Sequence, residues 1–151
     1  MMIQERRRIF LGGVVSPPAP VLNGIKTGTY GQITVSDKNH LAFTANNAFI
    51  NKFMPLIDDI VIHSGDVIKL RAVNGTMLTG AYGACGLYPS NSLTGGLEIT
   101  TSQKPPIKTT FQSKTATSDF TAKYFRIYQG SVASGTAECD LELYINDVQV
   151  I

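Results

Sequence analysis

The chain contains little of what metal-binding and disulfide-stabilised proteins rely on. It has two cysteines, Cys85 and Cys139, and two histidines, His40 and His63, among 151 residues. Several spaced cysteines would indicate a secreted disulfide scaffold, and ligand pairs at short spacing would indicate zinc. Because neither pattern is present, the sequence predicts no metal site and no cofactor. The cysteines form one bridge or, as their apolar neighbours favour, are two small buried residues.

Charged residues are also scarce. They make up 16% of the chain, and the formal net charge is +2, whereas globular proteins usually contain ~25% charged residues. A charge so close to neutral steers a protein only weakly toward nucleic acid, and the one basic cluster, Arg6, Arg7 and Arg8, stands near the N-terminus. We therefore expect a neutral polar surface and no nucleic-acid partner.

Long apolar runs are missing as well. No run approaches the ~20 residues needed to cross a bilayer. The first 15 residues place a basic part before an apolar one. Two glycines and the prolines that follow interrupt the apolar part, which is therefore too short for a signal peptide. We expect a protein made in the cytoplasm and not addressed to a membrane.

Alternation of apolar and polar residues is the main structural signal that is present. Phe125 and Ile127, and later Leu141 and Leu143, alternate with polar or tyrosine neighbours, which is typical of strands with one buried face. Turn residues separate similar segments throughout. Strands are predicted at 30–35, 41–44, 57–62, 66–73, 82–88, 97–101, 107–111, 120–128 and 138–146. The pattern predicts an all-β protein, an antiparallel β-sandwich of the jelly-roll type.

Two local features refine this prediction. The turn sequence Ser64–Asp66 is a tight reversal between two predicted strands, so we expect a hairpin there. Residues 45–54 have helical character, with Phe49 and Phe53 four apart and Pro55 closing the segment. We expect one or two helical turns whose phenylalanines cover the core.

The N-terminal region has a different composition. Residues 6–11 read as one short strand, and the proline-rich stretch 16–20 forms a stiff connection. We therefore divide the chain into an arm and linker, residues 1–24, and a β-sandwich domain, residues 25–151. A lone strand needs a pairing partner, so it either adds to the edge of its own sandwich or anchors the chain to another subunit. The candidate anchoring residues are Arg6, Arg7, Arg8, Ile9, Phe10 and Leu11.

Acidic residues offer little for catalysis. Asp58 and Asp59 are adjacent in a strand, so their side chains point to opposite faces and share no proton. Glu138, Asp140 and Glu142 alternate and therefore line one face. They form a solvated face that discourages aggregation or, if a loop adds oxygen ligands, a calcium site.

A thiol nucleophile has equally weak support. Cys85 and His63 are a conceivable nucleophile and base, but nothing near Cys85 would lower a thiol pKa, and its glycine-rich surroundings indicate close packing. We therefore predict that the chain is not an enzyme and has no catalytic residues.

Tyrosines provide the remaining chemical capacity. Six tyrosines with polar neighbours could stack on sugar rings, although tyrosine is also common in strands for its β-propensity alone. The candidate glycan-binding residues are Tyr82, Tyr88, Arg71 and Tyr128.

Short motifs along most of the chain resemble a module of small bacteriophage virion proteins, of the tail-fibre, head-fibre or minor structural kind. Arg8–Gly12 is similar to its opening basic and aliphatic strand, and Ser64–Arg71 to its Gly-Asp turn and following strand. Gly86–Asn91 and Ala122–Ile127 resemble two further strands, the first ending in Tyr and a Ser/Asn turn. Leu143–Asp147 is similar to the end of the module.

This resemblance implies a noncatalytic building block of a virion, assembled in the host cytoplasm. In such proteins the N-terminal segment attaches to other capsid or tail proteins, and a sandwich of carbohydrate-binding-module type faces outward, where it contacts host glycans. Subunits of this kind usually self-associate into symmetric oligomers, in which weak contacts add up to avidity. The alternative is a free, lectin-like carbohydrate-binding module.

Overall fold

Eleven β-strands and no helix make up residues 22–151, the part of the chain that the computed structural model describes. The strands are Gly28–Tyr30 (β1), Ile33–Asp37 (β2), His40–Thr44 (β3), Ile50–Ile62 (β4), Val67–Val73 (β5), Gly83–Tyr88 (β6), Leu97–Gln103 (β7), Gln112–Thr115 (β8), Phe120–Gln129 (β9), Thr136–Ile145 (β10) and Val148–Gln149 (β11).

The strands form two antiparallel sheets. A seven-stranded sheet has the order β1-β2-β3-β10-β5-β8, with β11 also paired to β10, and a four-stranded sheet has the order β4-β9-β6-β7. The prediction of an all-β antiparallel sandwich is confirmed. The jelly-roll topology stays a prediction.

The inner faces of the sheets bury one continuous apolar core. On β10, Leu141 and Leu143 are fully buried, and on β9 Phe125 and Ile127 are, as the alternation predicts. A fully buried Leu, Ile or Phe side chain contributes ~1.5–3 kcal/mol through removal of apolar surface from water. This burial fixes the register of each strand, because a shift by one residue would turn its apolar side chains outward.

A short segment before β1 joins the two sheets along one edge. The Ile25 N–H donates to the Lys38 carbonyl beside the large sheet (2.7 Å), and the Ile57 N–H of β4 donates to the Gly24 carbonyl (2.8 Å). Asn23 binds Asp58 through both of its side-chain polar atoms. Asn23 and Gly24, predicted to be linker, thus already bind the sandwich. The predicted strand at 6–11 and its anchoring residues lie outside the described residues.

The predicted hairpin is wrong, although its turn exists. The Asp66 N–H donates to the His63 carbonyl (3.0 Å), which closes the reversal. The flanking strands do not pair, because β4 pairs with β9 and β5 pairs with β10 and β8. The turn therefore carries the chain from one sheet to the other. The predicted strands 120–128 and 138–146 correspond to β9 and β10. These strands also lie in different sheets and do not pair with each other.

The predicted helical turns are also wrong, since Ile50–Ile62 is one long strand. Phe49 is 60% exposed and does not cover the core. Pro55 lies inside the strand, at the point where the register of β4 against β9 shifts. A bulge on an edge strand tolerates proline, because no ladder donor is needed there.

Two other boundaries differ from the prediction. Residues 107–111 form a loop instead of a strand, in which Ile107 is buried and the Lys108 N–H binds the Gln112 side chain (2.8 Å). The strand follows at β8. The predicted strand 30–35 is divided by a turn at Gly31, whose φ of 64° suits glycine. The other seven predicted strands all correspond to strands of the structure.

Replacement of Gly86 by alanine should destabilise the small sheet. A Cβ atom at Gly86 would lie 2.2 Å from the Leu97 carbonyl oxygen, so the β6–β7 backbones would have to separate. We expect Gly86→Ala to lower the free energy of unfolding by about 1–3 kcal/mol. Denaturant unfolding followed by circular dichroism measures the loss.

Gly130→Ala is the matched control. A Cβ atom there would meet the Ala81 methyl at 3.3 Å, and this neighbour is able to shift. We expect a loss below about 1 kcal/mol. Equal stability of the two variants would contradict the close approach of β6 and β7.

Candidate functional site

The outer face of the four-stranded sheet carries a group of aromatic side chains. Strand β9 turns Tyr124, Arg126 and Tyr128 outward, because Phe125 and Ile127 between them enter the core. Phe53 of β4 is the direct neighbour of Arg126, and the neighbour on the other side is Gly86, which adds no side chain. The sheet thus presents aromatic rings around one arginine.

Arg126 is the centre of this group and is only 6% exposed. Its guanidinium carbon lies 5.4 Å from the centroid of the Tyr128 ring, 5.6 Å from that of Phe53 and 6.0 Å from that of Tyr88. Its Nε–H donates a hydrogen bond to Asn51 Oδ1 (2.9 Å). Cation–π contacts of a desolvated guanidinium stabilise such an arrangement. Arg126 therefore holds the surrounding rings in fixed positions.

An open groove of about 250 Å³ lies beside this group, at the end of β6, β7 and β9, and we call it the aromatic groove. Its exposed rings are Tyr82 (64% exposed) and Tyr128 (37% exposed). Its lining includes Tyr82, Gly83, Glu98, Thr101, Ser102 and Tyr128. Two ring faces with carboxylate and hydroxyl groups beside them suit a neutral ring that bears hydroxyl groups.

The structure brings together two of the four predicted glycan-binding residues, Tyr82 and Tyr128. Tyr88 is 2% exposed, and its ring packs edge-on against Phe53 with centroids 5.4 Å apart. Burial raises the pKa of Tyr88, with a further contribution from Glu98. Tyr88 therefore packs within the aromatic group, against Phe53 and Arg126, instead of facing a ligand.

Arg71 lies in the other sheet, on β5. Its Nε–H donates to Glu142 Oε2 (2.7 Å), and its guanidinium carbon stands 4.4 Å from the centroid of the Phe111 ring. The hydrogen bond to Glu142 raises the pKa of Arg71. Arg71 thus belongs to a separate polar network on the outer face of the seven-stranded sheet.

The three alternating acidic residues of β10 share that outer face. Asp140 binds Asn74 Nδ2 (2.7 Å) and His40 Nδ1 (2.8 Å), and these hydrogen bonds lower the pKa of the Asp140 carboxyl. Glu142 is bound by Arg71, as described above. Glu138 lies 3.7 Å from His40 Nε2. Among residues 22–151, no group of three or more acidic, histidine or cysteine side chains is arranged to hold a metal ion.

The two cysteines are free and buried, one in each sheet. Cys85 contacts Thr100, whose Oγ1 lies 3.2 Å from Sγ and accepts the Cys85 N–H at 3.1 Å. Burial raises the pKa of both thiols to about 12. His63 lies beyond the end of β4 and is close to Asp119, not to Cys85. The interpretation of Cys85 and Cys139 as small buried residues is confirmed.

Sequence reasoning missed the residues that shape the aromatic groove. The alternation of Phe125 and Ile127 with their neighbours places Arg126 on the outer face and predicts that it is exposed, yet aromatic rings bury it there. Glu98, Thr101 and Ser102 carry no motif of their own. The one sequence signal for this group is the pairing of Gly86 with Arg126, which leaves space for the surrounding rings. It can be recognised only when the register of β6 against β9 is known.

No family model matches the chain, and no curated protein or solved structure is significantly similar to it. The likeness to virion modules therefore stays a prediction. In residues 22–151 there is no helix of the length and apolar character that a membrane span requires.

Replacement of Arg126 should loosen the aromatic group. Arg126→Met keeps most of the side-chain volume but removes the hydrogen bond to Asn51 and the cation–π contacts. We expect the free energy of unfolding to fall by about 1–3 kcal/mol and the near-ultraviolet circular dichroism of the tyrosines to weaken. Urea unfolding and the near-ultraviolet spectrum test this.

Lys123→Met is the control on the same strand. Lys123 is more than half exposed and lies 3.9 Å from Asp59. We expect a change below about 0.5 kcal/mol and an unaltered tyrosine spectrum, because exposed ion pairs contribute little. Similar effects of the two substitutions would contradict a special role for Arg126.

Both thiols should resist modification in the folded protein. Because burial keeps them protonated and inaccessible, we expect Ellman's reagent at pH 8 to leave native Cys85 and Cys139 unmodified and to label both in denaturant. Rapid labelling of one thiol in the native state would show that its burial is wrong.

The same pKa shifts predict a loss of stability in alkali. Folding raises both thiol pKa values from 9.0 to about 12, so the unfolded chain releases these protons first. The stabilising contribution is complete below pH 9 and declines as the pH rises toward 12. The Cys85→Ala/Cys139→Ala variant should show a shallower decline of the unfolding free energy between pH 8 and pH 11.

Proposed function

We propose that this chain is a noncatalytic structural protein of a bacteriophage virion, a fibre or decoration subunit. Its N-terminal segment attaches to other virion proteins, and its sandwich points outward and contacts a glycan of the host surface. Similarity of the short sequence motifs to virion modules supports this assignment. The buried thiols and the paired carboxylates of the described residues agree with a binding role.

One observation supports the outward display best: the chain enters the sandwich far from the aromatic groove. The Asn23 N–H donates to the Val150 carbonyl (2.8 Å), and the Asn23 side chain binds Asp58 in the bulge of β4. This bulge lies beside Lys123 of β9, whereas the groove lies beside Tyr128. Five residues of β9 separate these levels, roughly 17 Å. Attachment before Asn23 would therefore leave the groove open.

The alternative is a free carbohydrate-binding module that has no place in a particle. The aromatic groove favours this alternative as much as it favours the virion protein, because both would use Tyr82 and Tyr128 to contact a sugar. Only the role of the N-terminal segment separates the two.

Deletion of residues 1–20 tests the attachment. Host cells that supply the tagged protein to a phage lacking its own copy should give particles that contain the full chain and lack the truncated one. Immunoblotting of purified particles measures incorporation. Circular dichroism of the truncated protein should show an intact sandwich, since the described hydrogen bonds begin at Asn23.

A second variant controls for the length of the N-terminal region. Replacement of Pro17, Pro18 and Pro20 by alanine keeps residues 6–11 and should still permit incorporation. Particles that contain the truncated protein at the level of the full chain would contradict the attachment and favour the free module.

A further inference from the structure

A second groove adjoins the aromatic groove. It has a volume of about 240 Å³, and its polar lining consists of Thr76, Thr79, Lys104, Lys108, Thr109 and Thr110. We call it the lysine groove. The two grooves meet where Lys104 Nζ stands 5.7 Å from the centroid of the Tyr82 ring. This contact connects the two grooves near the end of β6 and β7.

The two parts of this surface differ in charge. Two lysines and four threonines line the lysine groove, and no acidic residue lines it. Within residues 22–151, the ion pairs of lysine and arginine involve other residues, namely Lys69, Arg71 and Lys123. The aromatic groove contains Glu98. An anionic group is therefore favoured in the lysine groove and disfavoured beside Glu98.

The loop that carries Lys104 and Lys108 is held in place by buried contacts. The Thr100 hydroxyl donates to the Pro106 carbonyl (2.9 Å), and Ile107 is 1% exposed. The Lys108 carbonyl accepts the Ala72 N–H (2.8 Å). Because the backbone between the two lysines is fixed, both residues line the same groove and less backbone ordering is needed on binding.

We propose that the joined grooves bind an acidic oligosaccharide, with a neutral ring on Tyr82 and Tyr128 and a carboxylate-bearing ring between Lys104 and Lys108. The aromatic faces supply stacking, and the ammonium groups supply charge-assisted hydrogen bonds. The chain's own N-terminal segment is a poor occupant, because Arg6, Arg7 and Arg8 would meet like charges. This inference rests on the proposed function only in taking the ligand to be a surface glycan.

An array of bacterial surface oligosaccharides tests the proposal with the purified full-length protein. Each uronate- or sialate-containing member is printed beside its carboxyl-reduced, neutral counterpart. We expect at least about tenfold stronger retention of acidic members than of their reduced forms, the size of effect that one charge-assisted hydrogen bond gives. Absence of any such preference overturns the proposal.

Variants assign the two halves of the surface. Lys104→Gln/Lys108→Gln should remove the acidic preference and leave weak binding of neutral members, whereas Tyr82→Ala/Tyr128→Ala should lose both. Lys123→Gln removes one positive charge elsewhere and should keep the wild-type preference. If the double lysine variant keeps the preference, the lysine groove is not the site.

The result is independent of the virion assignment. Incorporation into particles depends on residues 1–20, whereas the array uses the isolated chain. A preference for acidic members without incorporation would support the glycan site and contradict the virion role. Incorporation without that preference would support the virion role and contradict the glycan site.

Discussion

Strand β10 is the element on which the sandwich depends most. It pairs with β3 along its first half, with β5 along its second half and with β11 at its end. Its apolar residues, Leu141 and Leu143 among them, enter the core, while Glu138, Asp140 and Glu142 face outward. A change of register in this strand would expose the apolar side chains and bury three carboxylates, so its alternation fixes the large sheet.

The small sheet adds a second packed layer on its outer side. Solvent-facing positions of a sheet usually hold separate polar side chains, but here Arg126 is enclosed by Phe53, Tyr88 and Tyr128. Burial of a guanidinium carries a desolvation cost, which the ring contacts and the hydrogen bond to Asn51 offset. The result is a group of closely packed side chains next to the aromatic groove. A surface that is already ordered loses less entropy when it binds a ligand.

Local alternation predicted most strands because it reflects one buried face, a property of each segment alone. Pairing partners could not be predicted in this way, since the turn at Ser64–Asp66 is compatible with a hairpin and with a crossing between sheets. The helical prediction for 45–54 is wrong because the spacing of Phe49 and Phe53 also fits an extended chain. Phe49 lies just before β4 and is exposed, and Phe53 lies on the outer face of β4. Tyr82 and Tyr128 were identified from residue type, but their proximity depends on long-range register.

The contacts of Asn23 have a mechanical consequence. A load applied before Asn23 and at the aromatic groove would act at the β4 bulge and at the Tyr128 end of β9, two points separated along the strand direction. Tension in that direction shears many backbone hydrogen bonds at once, whereas a perpendicular pull would open them one after another. A load applied between Asn23 and the aromatic groove would therefore act on these hydrogen bonds in shear.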